Sequence, residues 1–139
     1  MKALICCLFF CLPLKHLTIT SDFGYRIHPI TKSYTFHFGT DFRAHRDTVF
    51  AITNGRAVVG VDRFLGIYIQ LTNDDLQITY GHLSQILAID SVKAGDPIAI
   101  TGATGCATGE HLHLSIKYKG SPIDPLKFLY ELTIKTKSP

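Results

Sequence analysis

A chain of 139 residues that is 46% hydrophobic and 18% charged, with a net charge of +3, has room for one domain with a real core and no need of disulfide staples. High apolar content with low charge excludes a disordered chain, and 11 Gly and 6 Pro without period exclude a collagen-like or low-complexity one. Lys and Arg nowhere form the dense patch that phosphate binding uses, so nucleic acid is not an expected partner, and the unusual count is seven His.

Residues 3–14 form an uninterrupted apolar run behind Lys2, the layout of a secretory signal. The run is too short to cross a bilayer as a helix, which takes about 20 residues. Residues 1–17 are therefore expected to be a signal peptide or a short N-terminal hydrophobic segment, exporting the protein to the periplasm, cell envelope or medium of a bacterium. Leu14, Lys15, His16 and Leu17 are too large for the usual cleavage pattern, so a buried first strand or an uncleaved tether is the competing reading. Cys6, Cys7 and Cys11 lie in this run, which leaves Cys106 beyond it and no disulfide framework or thiolate pair for a structural zinc.

From about Thr18 the chain reads as short strands divided by turn residues. Val49 to Thr53 leads into Asn54-Gly55, a strong hairpin signal, and then into the β-branched stretch Arg56 to Val61. Gly66 to Leu71 alternates, Asn73-Asp74-Asp75 turns, and Leu76 to Tyr80 alternates again, which predicts antiparallel hairpins. Further strands are expected at Ile86–Ile89, Pro97–Thr101 and His111–Tyr118. No segment carries a convincing long helical stripe, although Leu126 to Leu132 suits one or two turns. Turn signals at this spacing argue for an all-β sandwich or barrel-like antiparallel sheet over residues 18–132, with Thr133–Pro139 as a polar tail.

The chemistry concentrates in Thr104 to Ser115. On a strand, His111, His113 and Ser115 share one face while Leu112, Leu114 and Ile116 share the other, so burial of the apolar face leaves two imidazoles on the open one. They would sit roughly 6.5–7 Å apart, so that one can ligate a metal while the other addresses water on it. Alone, such a pair reads better as ordinary surface histidines. His37 and Asp41 add an imidazole and a carboxylate four residues apart, separated by Gly39, which we read as a sharp turn. Taken with His113 they offer two nitrogens and one oxygen, the donor set of a catalytic zinc site with a position open to water. Iron or cobalt would also fit, and zinc follows from ligand preference. His82 lies at the end of an expected strand, where loop residues often carry function. His16, His28 and His45 read as structural or exposed.

In this order, these elements resemble the LytM/lysostaphin-like zinc peptidases, the M23 family of peptidoglycan endopeptidases. The likeness begins at Ile19-Thr20-Ser21-Asp22-Phe23-Gly24-Tyr25-Arg26-Ile27-His28-Pro29 and continues through His37 and Asp41, Tyr80-Gly81-His82-Leu83-Ser84, and Val92 to Ile98. It ends in Thr104-Gly105 with Thr108-Gly109 and His111-Leu112-His113, and in Gly120 to Pro125. The resemblance implies an antiparallel β-sheet scaffold of barrel-sandwich type with a loop-bounded groove. It implies one Zn2+ held by His37, Asp41 and His113, with His82 and His111 as catalytic histidines. Glu110 stands where the family usually has Pro, and Ser115 where it often has Glu.

By the same resemblance, the expected activity is hydrolysis of peptide stems or cross-bridges of peptidoglycan by metal-activated water; a monomer is expected, and the short apolar run predicts no stable transmembrane span. His111 would move the proton. His82 would orient that partner or donate to the oxyanion, and Tyr25 or Tyr34 would supply a further donor. Glu110, adjacent to His111 and pointing away by alternation, is the weaker candidate base. The alternative is an inactive LytM-like module that binds peptidoglycan or regulates another wall hydrolase.

Overall fold

Alternating apolar side chains build twelve strands, followed by one helix, among the residues 10–137 that the computed structural model describes. The strands are β1 (Ile19–Ser21), β2 (Gly24–Ile27), β3 (Tyr34–His37), β4 (Thr40–Arg43), β5 (Thr48–Phe50) and β6 (Gly55–Asp62). They continue as β7 (Gly66–Asn73), β8 (Leu76–Ile86), β9 (Asp90–Val92), β10 (Pro97–Thr101), β11 (His111–Tyr118) and β12 (Ser121–Ile123), and α1 (Pro125–Lys137) closes the described chain. The main sheet is ten-stranded and antiparallel, ordered β1-β4-β11-β8-β7-β6-β9, with β12 on β11 and β10 joining β8 to β5. β2 and β3 form a separate two-stranded hairpin.

The core lies on one face of this sheet. Leu112, Leu114 and Ile116 of β11, Ile78 and Tyr80 of β8, Ile69 and Leu71 of β7 and Phe42 of β4 are fully buried. Each such aliphatic side chain contributes about 1.5–3 kcal/mol by leaving water. The Tyr80 hydroxyl is buried with them and accepts the Ile52 N–H at 3.0 Å, and burial pushes its ionisation far above the usual phenol range.

Three expectations change. Asn54-Gly55 does not close a hairpin, because β5 pairs with β10 instead of β6. Neither residue takes the positive φ that a two-residue hairpin turn of this type requires. Asn54 is a bracket, its side-chain oxygen accepting from Ala94 N–H at 2.8 Å and its carbonyl from the Asn73 amide at 2.7 Å. The strand expected over Ile86–Ile89 is divided: β8 ends at Ile86, and Leu87 and Ala88 both donate to the Ile98 carbonyl before β9 begins. The one or two helical turns are a helix of 13 residues, opened by Asp124, whose Oδ1 accepts from Leu126 N–H at 2.9 Å, and by Pro125 in the first turn. The helix buries its own Leu129 in the core and packs Phe128 and Leu132 against it.

The chain before β1 also joins the core as far as it is described. Leu14 is 3% exposed, Phe10 and Leu17 pack against the core, Cys11 N–H donates to the Ile52 carbonyl and Phe50 N–H to the Pro13 carbonyl. Burial pushes the Cys11 thiol up. The first part of the expected signal, with Cys6 and Cys7, lies outside the described residues, as do the last two residues of the expected tail, whose residues 133–137 continue α1.

Candidate active site

Strand register sets the site. β11 lies between β4 and β8, with His113 opposite Asp41 and Gly81, and His111 opposite Arg43. Partners across an antiparallel ladder share a face, so the face opposite the Leu112–Leu114–Ile116 core carries His111, His113, Asp41 and Arg43 together. His37 ends β3, and the turn at Phe38-Gly39 returns the chain into β4, bringing its imidazole over Asp41.

Asp41 Oδ1 lies 2.9 Å from His113 Nδ1 and 3.3 Å from His37 Nε2, and those two nitrogens are 3.2 Å apart. Donors bound at 2.0–2.1 Å around a tetrahedral zinc lie about 3.3 Å from one another, so this trio already has the spacing of one ion's ligands. One ligand atom from each residue lies within 4.8 Å of the others. Protonation suits the same role. Burial alone would raise the Asp41 carboxyl, but hydrogen bonds and charge from His113 and His37 outweigh it and hold the group well below the usual carboxylate range. His37 Nδ1–H donates to the Asp22 carbonyl at 2.9 Å, which leaves the Nε2 lone pair facing Asp41.

His82 reaches this face through a bulge inside β8, not at a strand end. Tyr80 pairs with Ile69 and Leu83 with Ile67, so Gly81 and His82 together oppose the single residue Tyr68. Tyr80 and Leu83 both remain in the core, while His82 takes φ +60, a conformation that costs a non-glycine residue about 1–3 kcal/mol. Its Nδ1–H donates to the Thr104 carbonyl at 2.7 Å. Burial, reinforced by His111 and His113, pushes its pKa down despite that hydrogen bond, so the ring is neutral and its free Nε2 is an acceptor. His111 Nδ1–H donates to the Gly109 carbonyl at 2.9 Å, its Nε2 lies 3.8 Å from Asp41 Oδ1, and its ring is centred 4.6 Å from that of His82.

The structure thus gathers His37, Asp41, His82, His111 and His113 in one groove of about 800 Å3. It does not bring in the tyrosines. Tyr25 and Tyr34 stack on each other at 5.4 Å on the hairpin face opposite the one shared by Arg26 and His37, and neither lines the groove. Glu110 is engaged elsewhere, 2.6 Å from His45 Nδ1 and 3.5 Å from Arg46 Nε. His28 Nδ1 accepts from Ile30 and Thr31 N–H, both at 3.2 Å, and shapes the hairpin loop.

Two supporting residues have structural duties that spacing does not convey. Gly39 is not a positive-φ turn; a Cβ there would lie 2.5 Å from the Leu114 carbonyl and 2.7 Å from His113 Cε1. Thr104 Oγ1 donates to the Leu83 carbonyl at 2.7 Å and accepts Ile67 N–H at 3.1 Å, fixing the segment whose carbonyl holds His82. Position 104 stands out in the sequence only through the Thr-Gly motif.

Comparison with known proteins gives the family. A model of peptidase family M23 matches residues 35–125. DD-carboxypeptidase/endopeptidase Mpg of Neisseria meningitidis serogroup B is 33% identical over 119 residues, covering 82% of this chain and 27% of that protein. Peptidoglycan DD-endopeptidase ShyA of Vibrio cholerae is 36% identical over 116 residues, covering 78% of this chain and 27% of that protein. The chain therefore spans about a quarter of the length of these two relatives. A zinc containing peptidase from Vibrio cholerae has a similar structure, with a TM-score of 0.76 and 34% identity over 84% of this chain and 39% of that one.

Proposed function

Because the chain belongs to peptidase family M23, we propose that it is a zinc-dependent endopeptidase that hydrolyses peptide bonds in the stems or cross-bridges of bacterial peptidoglycan. The observation that carries this reading is the His37–Asp41–His113 donor trio with the two free imidazole nitrogens of His82 and His111 on the same face. Relatives named for peptidoglycan endopeptidase activity support the substrate, and the export expected of such an enzyme places its work outside the cytoplasmic membrane. Among the described residues no helix is long and apolar enough to cross a membrane, and a monomer suffices because the five site residues come from one chain.

His37 Nε2, Asp41 Oδ1 and His113 Nδ1 would hold the ion. When bound, zinc supplies Lewis-acid polarisation of the scissile carbonyl and lowers the pKa of water from 15.7 to about 7. His111 Nε2 accepts the proton of the attacking water and returns it to the leaving amine, a task suited to an imidazole whose Nδ1–H is already fixed on Gly109. His82 Nε2, kept unprotonated by burial, accepts a hydrogen bond from the water or from the departing N–H and so orients the reacting groups. Glu110 is the weaker candidate base, since its carboxylate lies beside His45 and Arg46.

Digestion of purified sacculi, followed by mass spectrometry of the released fragments, tests the reading. The zinc-loaded protein should generate new amino termini. His111→Ala should keep its zinc and lose about 10²–10⁴-fold in rate, the usual worth of a general base. His113→Ala should lose both metal and activity. If the zinc-loaded wild type releases no new amino termini from walls of any cross-link type, the catalytic reading fails and the wall-binding module replaces it.

A further inference from the structure

Besides the five residues above, the groove carries two guanidinium groups that its carboxylates do not pair. Its lining holds two carboxylates, Asp41 and Glu110, and two guanidinium groups, Arg26 and Arg43. Asp41 is committed to His113 and His37, and Glu110 lies 3.5 Å from Arg46 Nε and 2.6 Å from His45 Nδ1, although its Oε2 makes no hydrogen bond there. Neither arginine has a carboxylate partner among the described residues.

Their positions follow from register. Arg43 stands two residues beyond Asp41 on β4, on the same face, and directly opposite His111 on β11. Same-face neighbours on a strand are roughly 6.5–7 Å apart, so the Arg43 stem starts one side-chain spacing from the ligand trio and its head reaches further along the groove. Arg26 stands opposite Thr35 on the hairpin, and Thr35 is two residues before His37. Arg26 and His37 therefore occupy one hairpin face as diagonal neighbours, about 7–8 Å apart. Arg26 Nε is buried without a hydrogen-bond partner, an unsatisfied donor of the kind that a bound acceptor relieves.

The ligand that answers both features is an anion with planar acceptor geometry, since a guanidinium pairs with a carboxylate through two parallel hydrogen bonds. We propose that Arg43, on the floor of the groove, and Arg26, on its hairpin wall, form a subsite that fixes a free carboxylate of the peptide lying across the metal site. This inference rests on the peptidoglycan reading for its substrate class and adds a determinant of which stem peptides are accepted: those whose carboxyl group is free rather than amidated. The carboxylate has two sources in such a peptide, the C-terminal α-carboxyl or a side-chain carboxyl, and both present the same chemistry to the arginines.

The test uses three synthetic stem-peptide dimers joined through a D-alanyl amide: one with all carboxyls free, one amidated at the C-terminus, one amidated at the side chain. kcat/KM is measured for the zinc-loaded wild type, Arg43→Gln, Arg26→Gln and the double variant. Binding of the same peptides is measured by calorimetry on zinc-loaded His111→Ala, with and without Arg43→Gln. The wild type should favour the free peptide over one amidated form by about 10- to 100-fold, the range of a charge-assisted pair. Arg43→Gln should bring that ratio close to one, and Arg26→Gln should narrow it, with zinc content and melting temperature unchanged. The amidation that removes the preference identifies the source. If free and amidated peptides are bound alike, or if the preference survives in the double variant, the subsite is refuted. If nothing is cut but binding remains selective for the carboxylate and dependent on Arg43, the subsite stands and the endopeptidase reading falls.

Discussion

On the floor of the groove, β4, β11 and β8 are hydrogen-bonded neighbours, and the imidazoles of His82 and His111 are each anchored through Nδ1 to a backbone carbonyl. The wall formed by β2 and β3 is a two-stranded sheet of its own, a unit of marginal stability when alone. Its outer face is dressed with aromatic rings: Tyr25 and Tyr34 are 69% and 72% exposed, and Phe36 meets Tyr25 edge-on at 5.0 Å. The difference separates two tasks. Of the groups proposed to hold a metal and move a proton, Asp41, His82, His111 and His113 are fixed by strands that bury the core on their other side, whereas the hairpin carries His37 and, on its other face, exposed aromatic rings.

The sharpest way to break this division is to remove the charge at its centre. Asp41→Asn preserves shape but removes the carboxylate that both His37 and His113 approach. It should abolish stoichiometric zinc and reduce wall hydrolysis to background, as measured by metal analysis and fragment release. Retention of zinc in this variant would show that the floor does not depend on the trio.

Gly39→Ala tests the floor's packing. The added methyl meets the Leu114 carbonyl, which is sheet backbone and cannot rotate away, as well as the His113 ring. We expect about 1–3 kcal/mol of destabilisation from overpacking, with weakened zinc affinity because His113 must shift. Thermal unfolding and zinc titration together read the two effects. Unchanged zinc affinity would mean that β4 can yield without moving the ligand.

Thr104→Val is milder. It removes a hydroxyl that bridges Leu83 and Ile67, leaving a carbonyl and an N–H without that partner, at a cost of about 1–3 kcal/mol. Zinc should remain, since no ligand is touched. Turnover should fall, because the Thr104 carbonyl that orients His82 is no longer clamped. Loss of zinc in place of turnover would tie His82 to the ligand set.

Much of this floor was legible beforehand, and the reasons for the exceptions are physical. The limits read for β10 and β11 match those observed because polar–apolar alternation is local and their flanking turns are strong. The same alternation placed His111 and His113 together on the open face. The M23 resemblance and the all-β antiparallel fold likewise agree with the structure and its relatives. What escaped was set by distant partners. The bulge at His82 exists because Gly81 and His82 face one residue of β7, which no window around position 82 displays. Asn54-Gly55 carries a genuine hairpin signal, overruled when β5 found β10. α1 was underestimated because Thr133, Ile134 and Thr136 dilute its helical character. Which side of the hairpin Tyr25 and Tyr34 occupy depended on register, and so did the placement of Arg43 opposite His111.

The smallest expected effect comes from the hairpin's outer face. Tyr25→Ser combined with Tyr34→Ser deletes a stacked pair worth about 0.5–1.5 kcal/mol, and both rings are already largely in solvent. Melting temperature should therefore fall only slightly and zinc should stay stoichiometric. Any loss with wall substrate should appear in KM, with kcat retained. The hairpin is not wholly independent of the floor, however: His37 is the last residue of β3, and its Nδ1–H is held by the Asp22 carbonyl just before β2. If the double variant loses zinc, that bond transmits the hairpin's order to the metal ligands. The wall would then be a structural part of the metal site, and the separation of tasks would hold only for residues beyond the Asp22–His37 link.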